Sequence, residues 1–112
     1  MRSLTITLKP DWKSALQHAG SYQGETLNFE TPGAFFGRLT ERRWAIVHAL
    51  QADGGDVGVR ELARRLSRDP SRVHQDAGVL LELGLIERTP AGSLRCPYAD
   101  IHVDMHLSTR AA

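Results

Sequence analysis

Apolar positions recur at helical spacing in the second half of the chain. Val59, Leu62, Ala63 and Leu66 stand at i, i+3, i+4 and i+7, a spacing typical of one apolar face of a helix. A second set predicts another helix over residues 70–83, with inward residues Val73, Ala77, Leu80 and Leu81. The pattern therefore predicts two short helices joined by a tight turn, which is a helix-turn-helix.

Local signals mark both ends of the second helix. Asp69 is a good N-cap, and Pro70 suits the first helical position, where its missing N–H is no loss. Gly84 fits the left-handed position that follows a last helical turn. After Gly84 the period changes, and strand-like residues flank a turn at Thr89–Ser93. We expect a β-hairpin, or wing, over residues 85–97.

Two further helices are predicted before this pair. Thr31 and Pro32 begin a short helix, and Thr40 caps a longer one that extends to Ala52. The inner face of the longer helix carries Trp44, Ile46, Val47 and Leu50.

Alternation of polar and apolar residues predicts strands near both ends of the chain. Ser3–Leu8 alternates strictly, Glu25–Glu30 is strand-like, and a helical stripe at Trp12–Ala19 separates them. Ile101–Leu107 alternates again and predicts a last strand. The fold class expected is α+β, mainly helical. Residues 1–30 form a β-α-β appendage, residues 31–107 a winged helix-turn-helix domain, and residues 108–112 a tail.

Composition limits the class of protein. A chain of 112 residues with 41% hydrophobic and 24% charged residues suits a globular domain that needs no disulfide, and it contains one cysteine. No apolar run approaches the length of a membrane span, and the N-terminus lacks a signal-peptide pattern, so a cytoplasmic location without membrane contact is expected. The net charge is only +1, so any nucleic-acid site must concentrate its charge locally.

Such a concentration occurs around the second helix of the pair. Residues 60–76 carry five arginines against three acids, and Arg and Gln side chains can form paired hydrogen bonds to base edges. The outward face predicted for this helix contains Ser71, Arg72, His74, Gln75 and Asp76. The residues expected to contact DNA are Arg64, Arg65, Arg68, Ser71, Arg72, His74, Gln75, Arg88 and Arg95. The alternative is an ordinary solvated helix that is rich in arginine.

Specific residue patterns extend this interpretation to a family. The patterns are Leu39-Thr40, Arg43-Trp44, Val59-Arg60-Glu61-Leu62-Ala63, Arg68-Asp69, Val73-His74, Asp76, Leu83-Gly84-Leu85-Ile86, Arg88, Pro97-Tyr98, Ile101 and Val103. They resemble small winged helix-turn-helix transcriptional regulators of the MarR- and ArsR-like type, above all a subgroup of predicted DNA-binding proteins. The resemblance covers about two-thirds of the chain, and Gly58 stands where the subgroup usually has a serine cap.

Two functions follow as expectations. The first is a sequence-specific regulator of transcription, such as a repressor, that binds double-stranded DNA as a homodimer, because one short helix contacts too few base pairs. The second is an antitoxin that binds a small toxin protein through residues 1–30, since the resemblance implies that some members have this role. The two roles are compatible in one protein.

Other chemistry has weaker support in the sequence. His102, Asp104 and His106 alternate along the last predicted strand, and imidazole with carboxylate suits zinc or nickel. A strand that packs its apolar residues inward and turns this polar set toward water or a partner strand explains the pattern fully; the inward residues would be Ile101, Val103, Met105 and Leu107. No catalytic triad spacing, phosphate-binding loop or dinucleotide fingerprint is present. We therefore expect neither an enzyme nor a bound cofactor.

Overall fold

The structure is a computed structural model, which describes residues 2–10 and 24–106. Its helices and strands are β1 (Ser3–Thr7), β2 (Glu25–Asn28), α1 (Pro32–Arg38), α2 (Glu41–Asp53), α3 (Val59–Leu66), α4 (Pro70–Leu83), β3 (Glu87–Arg88), β4 (Leu94–Arg95) and β5 (Asp100–Asp104). The α+β class is as predicted. Across the described ranges, no helix has both the length and the apolar character that crossing a membrane requires.

The chain divides into two compact units. The strand unit comprises the described residues within 1–37 and 100–112, and the helical unit comprises residues 38–99. This division differs from the predicted one, which placed residues 31–107 in a single domain. The difference arises because β5 pairs with β1 rather than with the hairpin.

The strand unit contains a three-stranded parallel sheet in the order β2-β1-β5. The alternation at Ser3–Leu8 predicted the central strand, and Leu4 and Ile6 are buried as expected. Thr5 and Thr7, which alternate with them on the opposite face of the sheet, are buried as well. The Thr7 hydroxyl donates a hydrogen bond to Asn28 Oδ1 at 2.8 Å, which satisfies its polar atom.

Some sequence predictions in this unit need correction, and others lie outside the described residues. The last strand was expected to direct Val103 and Met105 inward, but both side chains are exposed, since β5 is at the edge of the sheet. The second strand ends at Asn28 instead of Glu30. The last strand ends at Asp104, so Met105 and His106 are not part of it, contrary to the prediction. The helix predicted at Trp12–Ala19 lies outside the described residues, and so does Leu107.

Local caps define the helices of the helical unit. Thr40 Oγ1 accepts a hydrogen bond from the Arg43 backbone N–H at 3.4 Å, which begins α2, and Gly54 ends it with φ 72°. No side chain caps α3, because Gly58 stands at that position. The helix α4 begins and ends where the sequence predicted. The three helices α2, α3 and α4 pack on one another through a shared set of buried residues, which are Ile46, Val47, Leu50, Leu62, Ala63, Val73, Ala77 and Leu80.

The predicted hairpin follows α4. Its strands β3 and β4 are antiparallel, and the Thr89 backbone N–H donates to Ser93 O at 2.8 Å across the turn. Val57 forms an additional bridge with Leu94, with both backbone hydrogen bonds at 2.8 Å. This bridge ties the loop before α3 to the base of the hairpin, and sequence periodicity did not predict it.

Candidate nucleic-acid interface

The start of α4 is fixed by its own residues. Asp69 accepts a hydrogen bond from the Arg72 backbone N–H at 3.3 Å, and Pro70 occupies the first turn, as predicted. Ser71 was expected to contact DNA, but its hydroxyl donates to the Asp69 carboxylate. This bond from Ser71, with the backbone N–H of Arg72, lowers the pKa of Asp69 and keeps the cap ionised. Ser71 therefore completes the cap, although it remains exposed.

The outward face of α4 is open to solvent. Arg72, His74 and Gln75 are exposed, and no described residue forms a hydrogen bond or an ion pair with their side chains. Gly78 lies on the same face one turn further along, while Val73, Ala77 and Leu80 are buried on the opposite side. The three polar side chains are consequently available to an external partner.

Asp76 does not belong to this exposed face, contrary to the sequence prediction. Its carboxylate forms ion pairs with Arg43 Nε at 3.0 Å and Arg68 Nη2 at 2.6 Å. The exposed fractions of the three side chains are only 21% for Arg43, 16% for Arg68 and 17% for Asp76. Helix packing buries them because α2 and α4 contact each other.

Arg68, which was expected to contact DNA, belongs to this cluster. One guanidinium nitrogen of Arg68 is bonded to Asp76, and Nη1 is buried without a hydrogen-bond partner among the described residues. Burial acts to raise the pKa of Asp76, but the hydrogen bonds and charges of Arg68 and Arg43 outweigh burial and lower that pKa. The carboxylate is therefore ionised at neutral pH and joins α4 to α2 and to the turn before α4.

A cleft of about 380 Å³ lies beside the exposed face of α4. Its lining residues are Thr40, Arg42, Arg43, Arg68, Arg72, Gln75 and Asp76. Arg42 and Arg72 are exposed and form no ion pair with a described residue, although the charge of Arg72 contributes to lowering the pKa of Asp69. The mouth of the cleft is therefore cationic. The start of α2 adds the positive end of a helix dipole. The sequence analysis did not single out Arg42. Its position two residues after the Thr40 cap could have indicated a cation beside the start of a helix.

The arginines of α3 are engaged by acids of the protein. Arg64 bonds to Glu61 at 2.8 and 2.6 Å, and Arg65 bonds to both Glu61 and Asp53 at 2.9 Å. The bonds from Arg64, then those from Arg65, lower the pKa of Glu61 to about 2, so Glu61 is ionised at neutral pH. These exposed pairs are weak, so a phosphate could replace the acids as the partner of each arginine. The acids nevertheless lower the net positive charge that was predicted for α3.

The hairpin carries the remaining two predicted cations. Arg95 is exposed and its Nε donates to Glu87 at 2.6 Å across the two strands. Arg88 Nη1 donates to the Gly92 carbonyl at 3.2 Å, which holds its side chain along the turn. Both cations lie in the helical unit together with α4.

The candidate metal ligands lie in the strand unit. His106 Nε2 is 2.7 Å from Asp104 Oδ1, and His102 is exposed. Within residues 2–10 and 24–106, no three His, Cys, Asp or Glu side chains are close enough together to hold a metal ion.

One protein family matches the helical unit. The model of the family described as HVO_A0114 matches residues 38–103, which is more than half of the chain. The chain belongs to the HVO_A0114 family. The part that matches HVO_A0114 begins at the first residue of the helical unit and ends within β5. Comparisons with curated proteins and with solved structures each gave no match.

Proposed function

We propose that the protein is a sequence-specific regulator that binds double-stranded DNA through a winged helix-turn-helix in its helical unit. One observation carries the proposal: Arg72, His74 and Gln75 project from α4 without a partner among the described residues. Guanidinium and carboxamide groups match the paired hydrogen-bonding atoms of base edges in the major groove. The helix α4 enters that groove, and these three side chains contact the bases.

The elements around α4 support this assignment. The turn from α3 to α4 occupies residues 67–69, and the hairpin β3-β4 follows α4 after a few residues. This succession supports the proposal of a helix-turn-helix followed by a wing. In the proposal, Arg88 and Arg95 of the wing contact the phosphate backbone beside the groove.

The cationic cleft supports a phosphate contact next to the base contacts. Arg42 and Arg72 lie at its mouth, and the positive end of α2 favours a negative group there. A phosphate held by Arg42 would place the adjacent bases within reach of Gln75, which lines the same cleft. The buried Asp76 keeps the two helices in the position that this contact needs.

Selection of preferred duplexes from a random DNA pool tests base recognition. We expect Gln75→Ala to lower affinity for the selected duplex about tenfold, because a paired base contact contributes roughly 1–3 kcal/mol of discrimination. Affinity for random duplex should change little. Arg2→Ala removes one cation from the strand unit, so it is a control for net charge. Equal losses on both duplexes for Gln75→Ala would contradict base recognition.

Salt dependence tests the phosphate contacts separately. Arg42→Ala and Arg95→Ala should each weaken binding to every duplex and reduce the magnitude of the log–log salt slope by about 1, because each removes one phosphate contact. Fluorescence anisotropy at several salt concentrations measures this slope. An unchanged slope for Arg42→Ala would exclude the cleft from the DNA interface.

A further inference from the structure

The outer edge of β5 has no neighbouring strand within the described residues. The sheet order is β2-β1-β5, so one side of β5 pairs with β1 and the other side is open. An open edge presents backbone N–H and C=O groups that can pair with another strand. Such an edge is a ready interaction surface when its side chains also fit a partner.

The side chains of β5 show an apolar face that is only partly covered. In the parallel register, Ile101 lies beside Leu4 and Val103 beside Ile6, so the apolar residues of both strands share one face of the sheet. Leu4 and Ile6 are buried, whereas Val103 is 37% exposed and Met105 is 39% exposed. The apolar face thus continues beyond β1 toward the open edge.

The polar residues of β5 have a pattern that is complementary to itself. Asp100, His102 and Asp104 of β5 and His106, two residues beyond its end, alternate acid and imidazole. Reversing the strand places every acid opposite an imidazole when the centre of reversal is Val103. An imidazole N–H can donate to a carboxylate whether or not the ring is protonated, as His106 already does to Asp104 at 2.7 Å.

We propose that β5 pairs antiparallel with β5 of a second copy of this chain, about a two-fold axis that passes beside Val103. In this register His102 faces Asp104 of the second copy within β5. The proposed pairing extends two residues past the end of β5, where Asp100 faces His106 of the second copy. Ile101 faces Met105 of the second copy, and Val103 faces its own equivalent. Opposite pairs of this kind stabilise adjacent strands, while like charges directly opposite each other destabilise them.

Neighbouring registers lack this complementarity. An axis beside His102 places Asp100 opposite Asp104 of the second copy, so two acids face each other. An axis beside Asp104 places His102 opposite His106 and brings the two Asp104 carboxylates together. The other edge of the sheet, β2, is less suited, because the Glu25 carboxylate is bonded to Arg2 at 2.8 Å and Asn28 is bonded to Lys9.

The two-fold axis allows a direct test, since a residue on the axis faces only itself. Val103→Lys and Val103→Glu should each be monomeric, because two like charges would face each other. An equimolar mixture of the two variants should form dimers, because lysine then faces glutamate. Sedimentation equilibrium of the full chain without DNA measures both results, and Thr26→Lys on the exposed part of β2 is the matched control. Wild type and control should show twice the mass of one chain.

A second pair of variants tests the register through its polar residues. His102→Glu should weaken the dimer by placing two carboxylates opposite each other at two symmetric positions. Adding Asp104→Lys should restore it, because lysine then faces glutamate. A monomeric wild type would overturn the proposal, and so would dimers of the separate Val103 variants or a mixture that stays monomeric. None of these measurements depends on DNA, so their failure is separate from a failure of the proposed function.

Discussion

At the scale of single residues, Asp76 has the largest structural effect near the candidate interface. It is the acid that two arginines share, and it lies 33 residues from Arg43 in the chain. Removing one partner of a buried charge pair leaves the other charge without compensation, which costs more than losing an exposed pair. The stability of the interface should therefore depend on Asp76 more than on any exposed acid nearby.

We expect Asp76→Asn to lower the free energy of unfolding by about 2 kcal/mol at pH 7, the range for hydrogen bonds to charged groups. Because the folded pKa of Asp76 is lowered, its contribution is present above the ordinary aspartate pKa. The contribution is lost as pH falls below that value and through the folded pKa. Urea unfolding of wild type and variant at neutral and acidic pH should show the difference shrinking in acid.

Glu61 provides the matched control for this measurement. It also binds two arginines, but it lies on the exposed surface of α3. Glu61→Gln should leave stability close to that of wild type, because solvent screens exposed pairs. A stability difference between Asp76→Asn and wild type that stays constant down to acidic pH would contradict the role assigned to the Asp76 charge.

At the scale of elements, α4 contains a glycine that its own fold does not require. A methyl group added at Gly78 would meet nothing within 4 Å, and the position is exposed on the face that carries His74 and Gln75. Packing within the described chain therefore gives no reason for a residue that weakens the helix. The proposed function gives one, because a small residue allows the DNA backbone to approach α4 closely.

Gly78→Ala should raise the free energy of unfolding by about 1 kcal/mol, since glycine is about that much less favourable than alanine inside a helix. The same substitution should weaken DNA binding, because its methyl group lies on the contact face. Denaturant unfolding and anisotropy measure the two effects on one variant. Gly84→Ala should instead lower stability by about 1–2 kcal/mol, because Gly84 has φ 80°. A stabilised Gly78→Ala with undiminished binding would leave the glycine unexplained.

At the scale of the whole molecule, the helical unit has a core of its own. Its buried residues include Ile46, Leu50, Leu62 and Leu80, and the family match covers it from its first residue. The strand unit, by contrast, joins both ends of the described chain through the pairing of β1 with β5. Deleting residues 1–30 to test toxin binding would therefore remove both β1 and β2, and with β1 the strand that pairs with β5.

A fragment of residues 38–99 separates DNA binding by the helical unit from the contribution of the strand unit more cleanly. We expect it to unfold cooperatively, to keep the base preference of the full chain and to bind DNA more weakly, because it lacks β5 and the proposed dimer contact. Circular dichroism during urea unfolding and anisotropy on the selected duplex measure these properties. Loss of base preference in a folded fragment would show that the strand unit contributes to recognition.

The sequence by itself determined the local structure around the candidate interface. Asp69, Pro70 and Gly84 set the limits of α4, and Thr40 set the start of α2, because caps act within three or four residues of the chain. The hairpin was predictable for the same reason, since Thr89–Ser93 forms its turn from adjacent residues.

Only the tertiary structure decided which of the polar residues are free. Periodicity placed Asp76 outward, whereas packing of α2 on α4 joined it with Arg43 and Arg68 in a partly buried cluster and left Arg42 at the mouth of the cleft. It likewise decided that β5 pairs with β1. These outcomes depend on contacts between residues far apart in the chain, and a local pattern contains no information about which distant residue will be the neighbour.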